Sequence, residues 1–456
     1  MSHHVAVTHL PPEGEKLQIT KFVSWRAILL LTGVAGVAAS ALIFFGGGEA
    51  ANSYAFSYLF ALEVFFTITT GALFWVLLHN ASNSSWGVAI RRIPEVMTQL
   101  YLPLFVLALP IFSPFPLGSI KKPEWTQRMY EWIGIHAQIA QTPPSGATNL
   151  RDGLAMNHGT ELLYKKFPYL HNGLDPHGGL LPGWDIRAVL FFGILFLVGL
   201  KMRNLSLEQD RTGAVEPTFK ARFHACWMLP VFAVCSTFAS IDWIMSLNYT
   251  WFSTMFGVNI FAGAALASMA AMILIVGTLV KTGHFKHIVT EEHFHLMGKL
   301  MHAFIIFWAY IAFSQFFLIW YANIPEETQF YAIRNTEGWW YFSLAMVFAH
   351  FAVPFVFLLK RDSKRNLNAV MAAAVFVIGV HMLELYWMII PERGRSLYNF
   401  TTAPESGTFI RDVLFDGLAF VTFAGVYGFF LIRNLSKHSL YPCGDPRLEE
   451  SVNVIS

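Results

Sequence analysis

The sequence predicts an all-α protein that crosses a membrane many times. Hydrophobic residues fill 55% of the 456 positions and charged residues only 13%, whereas an ordinary soluble domain carries about a quarter charged residues. Mean hydropathy is +0.48. A helix needs about 20 apolar residues to cross a bilayer, and long apolar runs recur along the chain. The composition and these runs together predict a polytopic membrane protein.

Ten apolar runs are the predicted transmembrane helices. They are Trp25–Phe45, Tyr54–His79, Pro94–Phe115, Ile186–Lys201, Phe223–Ser246, Phe252–Val280, Met297–Tyr321, Trp339–Leu359, Asn368–Ile390 and Val413–Ile432. The corresponding division of the chain is an N-terminal tail (1–24), helices 1–3 (25–117), a long segment outside the membrane (118–184), helices 4–10 (185–433) and a C-terminal tail (434–456).

The distribution of lysine and arginine predicts the orientation. The even-numbered turns contain about fourteen of these residues, whereas the short odd-numbered turns contain only Arg334, Arg393, Arg395 and Arg411. Basic residues concentrate in cytoplasmic loops. We therefore expect both termini in the cytoplasm, and segment 118–184 on the outer, periplasmic face of a bacterial inner membrane.

Charge and cysteine usage exclude several classes of protein. The net charge is only +2 and has no concentrated basic face, which argues against a nucleic-acid partner. Cys226, Cys235 and Cys443 show neither C-x-x-C nor C-x-x-C-H spacing, so we expect no disulfide framework, covalent haem or iron–sulfur cluster in this chain. The polar first 24 residues, with Pro11 and Pro12, predict no cleavable signal peptide.

Ionisable residues at membrane depth are the candidates for function, because a charge at the bilayer centre costs at least about 2.5–3.5 kcal/mol on insertion scales. The candidates for a proton path are Glu63, Asp185, Asp242, His302, His350, His381, Glu384, Asp412 and Asp416. Glu63 shares one helical stripe with Thr67 and Thr70, and His381 and Glu384 lie on one face at i, i+3. Carboxyl and imidazole groups exchange protons near neutral pH when their pKa values approach each other.

Several alternatives stay open at this point. The acids near helix ends can instead be neutralised locally, Asp185 by Arg187 and Asp412 by Arg411. The three deep histidines also allow a b-type haem held by two imidazoles. A loop containing His284, His287, His293 and His295, with Glu291 and Glu292, has the spacing of a metal site, although a solvated, proton-collecting surface is the preferred interpretation. A standalone secondary transporter that uses the buried acids as coupling sites is a further hypothesis.

Four stretches of the chain resemble one family. ALEVFFTITTGALFWVLLHNASNSSWGVAIRRIPEVM (Ala61–Met97), SIDWIMSLNYTWFSTMFGVNIFAG (Ser240–Gly263), GKLMHAFIIFWAYIAFSQFFLIWYANIPEETQFY (Gly298–Tyr331) and YPCGDPRLEES (Tyr441–Ser451) are similar to the NrfD-like membrane subunits of alternative complex III, a bacterial quinol:electron-acceptor oxidoreductase. The second span reads LFALEVFFTITTGALF, with an acid where the C-type subunit carries a histidine. The chain therefore resembles the F-type subunit more closely.

The resemblance implies ten helices, with the second to fifth and the sixth to ninth in two four-helix bundles and the first and last outside them. It implies a role in a respiratory quinol-oxidising complex, supporting proton translocation and anchoring the other subunits. Iron–sulfur clusters and c-type haems would belong to partner subunits, alongside a second NrfD-like subunit and, as a further neighbour, a terminal oxidase. Quinone is the one small molecule that this chain would contact, and direct quinol oxidation by the chain is the alternative to a supporting role.

Under this hypothesis the candidates act in order of depth. His302 would exchange protons in the cytoplasmic half of the membrane. His350 and His381 would bridge the middle, and Glu384 with Glu63 would reach the outer half.

Overall fold

A computed structural model describes residues 11, 14–112, 123–135, 166, 169–170, 183–286, 288–397 and 406–455. Most of the predicted outer segment, 118–184, lies outside the described residues, as does His287 of the histidine-rich loop. The described residues form helices and a single β-bridge between Lys16 and Ser439. The predicted all-α fold is confirmed.

The helices follow one another in a simple order. They are α1 (Val23–Gly46), α2 (Gly48–Ala81), α3 (Arg92–Met97), α4 (Tyr101–Phe112), α5 (Glu124–Met129), α6 (Trp184–Thr212), α7 (Glu216–Trp243), α8 (Phe256–Lys281), α9 (Glu291–Ala322), α10 (Pro325–Ile333), α11 (Glu337–Val347), α12 (Val353–Leu359), α13 (Arg361–Arg365), α14 (Leu367–Leu397), α15 (Ser406–Leu435) and α16 (Leu448–Val452).

Nine helical segments of the described chain are long and apolar enough to cross a membrane, and they coincide with nine of the ten predicted spans. The predicted fourth span corresponds to α6, whose apolar stretch between Arg187 and Lys201 is shorter than the usual 20 residues. Helix α6 nevertheless runs antiparallel to α7 along its length, because Arg187 bonds Asp242 at one end and Gln209 bonds Thr218 at the other. It therefore lies alongside α7, and its crossing of the membrane as the tenth span stays a prediction.

The spans form two four-helix bundles with one helix pair outside them. Helices α2, α3–α4, α6 and α7 pack together, and α8, α9, α11–α12 and α14 form the second bundle. Helix α2 is buried on every side and also packs on α8 and α14, so it is the seam between the bundles. This is the arrangement that the family resemblance implied.

The first and last spans pair with each other through small residues. A Cβ at Gly33 would lie 3.0 Å from the backbone nitrogen of Val426, and a Cβ at Gly425 would lie 2.6 Å from that of Gly33. Small residues let helix backbones approach closely in a bilayer, where dispersion rather than hydrophobicity drives association. The opposite face of α1, including Leu31 and Phe45, is exposed and is the face that lipid covers.

The eighth span is interrupted at its middle. A π-helical segment, Phe348–Ala352, separates α11 from α12. Pro354, two residues into α12, has no N–H to donate to the carbonyl of His350, four residues earlier. Such wide turns occur frequently at functional sites, and this one sets the position of His350.

The C-terminal tail is fastened to the membrane helices by an ion-pair network. Asp445 accepts from Arg91 at 2.9 Å and from Arg447 at 2.8 Å, and Arg91 also bonds Glu95 at 3.0 Å. Burial raises the pKa of Asp445, but hydrogen bonds from Arg447 and the charges of both arginines outweigh it and hold that pKa below its ordinary value. The ionised carboxylate therefore stabilises the folded tail.

Replacing Asp445 by asparagine should lower the apparent Tm of the purified protein at neutral pH, because breaking a buried ion pair costs about 3–5 kcal/mol. Since the pKa is depressed in the folded state, this loss is complete above the ordinary Asp pKa of about 3.9 and fades as the pH falls below it. Thermal melts from pH 3 to 8 measure it. Glu450→Gln, an exposed position in the same tail, is the control, and equal melts for both variants would contradict the prediction.

Candidate functional site

The candidate site is built around the carboxylate of Glu384, near the middle of α14. Its Oε1 accepts hydrogen bonds from the indole of Trp308 at 2.6 Å and from the amide of Asn259 at 3.2 Å. Its Oε2 lies 3.2 Å from Nδ1 of His381 and 3.8 Å from Nδ1 of His350. The side chain is buried, so these contacts replace the water that a charged carboxylate otherwise requires. We call these five residues, with Thr67, the Glu384 cluster.

His381 connects Glu384 to helix α2. Its Nε2 lies 3.0 Å from the hydroxyl of Thr67, which itself donates to the backbone carbonyls of Glu63 at 2.7 Å and Val64 at 3.1 Å. Because the hydroxyl proton is used there, Thr67 accepts from Nε2–H of His381. Nδ1 of His381 and Oε2 of Glu384 then need one proton between them. A hydrogen bond between these two atoms therefore contains a single proton, which either residue can carry.

His350 borders the same carboxylate from the π-helical segment. Its ring stacks on Trp308 with the centroids 3.6 Å apart and the planes 27° apart. Within the described residues neither ring nitrogen of His350 has a hydrogen-bond partner, although it is 1% exposed. An imidazole that is buried and unbonded beside an acid is poised to take or release a proton when that acid changes charge.

The geometry does not suit the b-type haem that the sequence left open as an alternative. Both ring nitrogens of His381 are engaged, by Glu384 and Thr67, and the indole of Trp308 covers one face of His350. Two imidazoles that ligate one iron must face each other across the porphyrin. Among the described contacts, His381 has no free ring nitrogen for an iron.

Glu63 lies one helical turn before Thr67 and is 1% exposed. In the described part of the chain its Oε1 has no hydrogen-bond partner. The phenol of Tyr130 donates to the carbonyl of Trp243 at 2.8 Å, and burial, followed by the charges of Glu63 and Asp242, raises the pKa of Tyr130. Glu63 thus lies between the Glu384 cluster and the outer segment of the chain, with capacity for a further hydrogen bond.

Asp242 is held by arginine rather than by imidazole. Arg187 makes a two-pronged contact with it, Nε to Oδ2 at 2.7 Å and Nη2 to Oδ1 at 3.1 Å. Arg187 also donates to the carbonyl of Tyr169 at 2.6 Å and lies over that ring. The sequence also left open a pair between Arg187 and Asp185, and Asp185 is buried at the start of α6. The contact with Asp242 joins α6 to α7, and it favours a structural role for this aspartate.

Asp412 and Asp416 belong to a second arginine-centred group. Arg393 donates to Asp416 at 3.0 Å and approaches Asp412 at 3.7 Å, and Ser57 donates to Asp416 at 2.5 Å. The predicted local pair of Asp412 with Arg411 is confirmed at 3.3 Å. Ser53 and Tyr386 are further donors to the two aspartates. These contacts tie α2, α14 and α15 together beyond the Glu384 cluster.

His302 is separate from the cluster. It is partly exposed and packs on Phe355, with the ring centroids 5.0 Å apart. It lies on the same helix as Trp308, between that indole and the predicted cytoplasmic end. Its position agrees with the predicted order of depth, but no direct hydrogen bond links it to His350 within the described chain.

The histidine-rich loop uses its described imidazoles for local structure. Both ring nitrogens of His284 are hydrogen-bonded. At the start of α9 the side chain of His293 accepts from the backbone N–H of Thr290, and the two residues form a capping box. His295 lies 3.6 Å from a carboxylate one turn earlier. His287 lies outside the described residues. The described part of the chain contains no group of three or more His, Cys, Asp and Glu residues with metal-binding geometry.

An apolar cavity of about 650 Å³ lies beside the Glu384 cluster, between α9, α10–α11 and α14. Glu384 and Asn259 form part of its wall. Aromatic rings dominate the rest of the lining, namely Trp308, Phe316, Phe330, Tyr331, Trp340 and Trp387. A largely apolar pocket with a few convergent polar groups is typical of small-molecule sites.

One wall of this cavity is fixed by a buried arginine. Arg334 donates to the carbonyls of Trp387 at 2.9 Å, Met388 at 2.6 Å and Phe330 at 2.8 Å. It also pairs with Glu392 at 3.2 Å. These contacts fasten α10 to α14 and hold the aromatic wall in place.

Sequence reasoning found the acid and imidazoles of the site but missed the groups that bind them. In the sequence, Trp308 and Asn259 resemble packing residues within apolar runs. Nothing in their spacing indicates that both donate to the same carboxylate. Asn259 carried the one available signal, since it is an isolated amide within a predicted span. Arg393 was counted only as a loop charge.

Fold and site together define a multi-pass α-helical membrane protein with a buried acid–imidazole cluster beside an apolar cavity. No protein-family model matches the chain. No curated protein matches it either. The resemblance to NrfD-like subunits therefore stays a prediction from the motifs, and its functional content belongs to the proposal below.

A methyl group at Gly263 should disturb the cluster directly. A Cβ there would lie 3.0 Å from Oε2 of Glu384 and 3.0 Å from Nδ1 of His381, and overpacking of this kind typically costs about 1–3 kcal/mol. We expect Gly263→Ala to lower the apparent Tm and to change the carboxyl bands in pH-difference infrared spectra that Glu384→Gln removes.

Gly379→Ala is the matched control for this test, since nothing lies within 4 Å of its added Cβ. It should leave the infrared bands unchanged. Spectra of Gly263→Ala that are identical to those of the control would show that Glu384 and His381 do not pack against α8 as described.

Proposed function

We propose that this chain is an F-type, NrfD-like integral subunit of a bacterial quinol-oxidising complex of the alternative complex III type. In this role it conducts protons through the inner membrane and anchors the subunits that carry electrons. Two lines of support exist: the four sequence blocks that resemble the family, and the Glu384 cluster. The single observation that carries the proton role is the contact between Glu384 and His381, which is buried and continues to Thr67 on α2.

Partner subunits and this chain would share the products of quinol oxidation. Oxidation of one quinol releases two protons and two electrons. The electrons would pass to iron–sulfur clusters and c-type haems held by partners on the outer face, and the protons need acceptors inside the membrane. This chain would supply groups that take up and release those protons without a change in its own covalent structure.

Within the chain, the proposed path runs His350, Glu384, His381, Thr67 and Glu63. Each of the first three lies within 3.8 Å of the next, and Thr67 links His381 to the turn that begins at Glu63. His302 would pass protons between this path and the cytoplasm through intervening water.

The arginine-bound acids fall outside the proposed path. Asp242 and Asp416 are each bonded by a buried guanidinium, which always carries its charge. The oxygens of a carboxylate in such a contact are occupied by the guanidinium, which favours a structural role. We therefore assign Asp242 and Asp416 to helix packing.

Glu384→Gln should reduce the number of protons released per electron in vesicles that contain the assembled complex, because glutamine preserves the shape of the side chain but cannot carry the shared proton. Complex assembly and haem content should stay at the level of the wild type. Asp362→Asn, an exposed position in α13, is the control. A wild-type proton-to-electron ratio in Glu384→Gln vesicles would refute the relay.

A secondary transporter is the second candidate, favoured by the interruption of the eighth span beside the cavity. Broken helices near the middle of the membrane form substrate sites in many transporters. Purification in a mild detergent separates the two candidates. Co-purifying haem and iron–sulfur proteins would support the complex, whereas a lone polypeptide that catalyses solute uptake in vesicles would support the transporter.

A further inference from the structure

Arg203, near the end of α6, is a buried cation without a protein partner among the described residues. It is 6% exposed, and no described residue hydrogen-bonds its guanidinium or forms an ion pair with it. A guanidinium keeps its charge in proteins, and burial of a charge without a partner is costly. The other buried arginines of the described chain each pair with a carboxylate, namely Arg91, Arg92, Arg187, Arg334 and Arg393. Arg203 therefore calls for a ligand.

The charges next to Arg203 do not balance. It attracts Glu95 and repels Arg92 from beyond ion-pair distance, and these two residues belong to the network that fastens the C-terminal tail. With Arg203 included, this network has four arginines and three carboxylates, an excess of one positive charge. The arginines are Arg91, Arg92, Arg203 and Arg447, and the carboxylates are Glu95, Asp210 and Asp445. Each carboxylate already pairs with another arginine, so the excess charge is that of Arg203.

Arg92 and His438 add to the positive potential at this place. One nitrogen of Arg92 bonds Asp210, whereas its Nε and Nη1 have no hydrogen-bond partner in the described chain. His438 lies in the C-terminal tail. Partial burial and then the charges of Arg203, Arg92 and Lys437 lower the pKa of His438, which the charge of Asp210 only partly offsets. The site is therefore suited to an anion.

The position of the site at the membrane indicates which anion. Arg203 lies at the end of α6 that the sequence predicts to face the cytoplasm. Thr98, directly before α4, packs against Gly199, one turn from Arg203, so α4 begins beside the site. Leu102 and Val106 of α4 are one turn apart and are 56% and 57% exposed, within a segment apolar enough to cross the bilayer. Lipid chains cover this apolar stripe, and their headgroups lie level with the site.

We propose that Arg203 binds the phosphate of an anionic phospholipid, with Arg92 and His438 supplying further positive charge and an acyl chain lying along Leu102 and Val106. The planar N–H groups of a guanidinium fit two phosphate oxygens, and basic pockets between transmembrane helices bind such headgroups on the cytoplasmic side. The single negative charge of phosphatidylglycerol balances the single excess charge, whereas a zwitterionic lipid does not. Inorganic phosphate has the same polar chemistry but no chain for the apolar stripe.

The test measures lipid binding to the purified full-length chain. Native mass spectrometry identifies the lipid that is retained in a mild detergent. The delipidated chain is then melted with phosphatidylglycerol, cardiolipin, phosphatidylcholine or inorganic phosphate, because a ligand that binds only the folded state raises the Tm. We expect retained anionic lipid and a Tm rise that saturates with phosphatidylglycerol and with cardiolipin. Phosphatidylcholine should bind at least about fivefold more weakly, and inorganic phosphate at equal concentration should leave the Tm unchanged.

Variants of Arg203 locate the site. Arg203→Gln should weaken phosphatidylglycerol binding at least about tenfold, the equivalent of a hydrogen bond to a charged group. Arg203→Lys preserves the charge but not the paired N–H groups, so its loss should be smaller. Without lipid, Arg203→Gln should melt at or above the wild-type Tm, because it removes a buried charge that has no protein partner. Arg211→Gln, an exposed position at the end of the same helix, is the matched control and should bind lipid normally.

Four results overturn the inference. Two concern the variant: lipid binding by Arg203→Gln equal to that of the wild type, and a lower Tm of this variant without lipid, which would reveal a structural partner. Two concern the wild type: no preference for anionic lipid over phosphatidylcholine, and an equal Tm rise with inorganic phosphate, which would assign the site to a free anion. The wild-type titrations decide the question even where a variant does not fold. All of these measurements use the chain alone, so their outcome is separate from that of the proposed function.

Discussion

The interior of this protein is organised by one constraint: hydrocarbon does not solvate charge, so a side chain that is charged at membrane depth needs partners from the protein itself. Glu384 meets this requirement with four neighbours from three other helices and its own, namely Trp308, Asn259, His350 and His381. Because those neighbours come from α8, α9, the π-helical segment and α14, the carboxylate also fixes how the second bundle packs. His381 extends the same set of contacts to α2, the helix that separates the bundles.

The buried acids fall into two groups according to their partners. Asp242 and Asp416 face guanidinium groups, whose charge is permanent, and the resulting contacts hold pairs of helices together. Glu384 faces two imidazoles, which can gain or lose a proton, and two neutral N–H donors, which keep theirs. The same physical requirement thus produces fixed arginine–aspartate contacts in one part of the protein and an acid–imidazole cluster in another. The cavity lies beside the acid–imidazole cluster.

Much of the fold could be predicted because hydropathy and helix length are local properties. The ends of α2 and α9 lie further out than the apolar runs indicate, since polar residues such as Glu49 and Glu292 continue the helices beyond the hydrocarbon.

The site was only partly predictable. His381 and Glu384 share a helix face, and spacing along one helix reveals that. Two other contacts depend on which helices become neighbours in space: Asn259 and Trp308 bind Glu384, and Arg187 binds Asp242. A single sequence carries no local signal for these contacts.

The fastening of the C-terminal tail has a consequence for biosynthesis. Asp445 and Arg91 are separated by 354 positions along the chain, and Ser451 bonds the turn at Trp86 and Ala89. These ends of the early helices therefore stay incomplete until the ribosome has synthesised the chain past Ser451. A chain that is truncated before Asp445 would contain all the spans yet lack this closure.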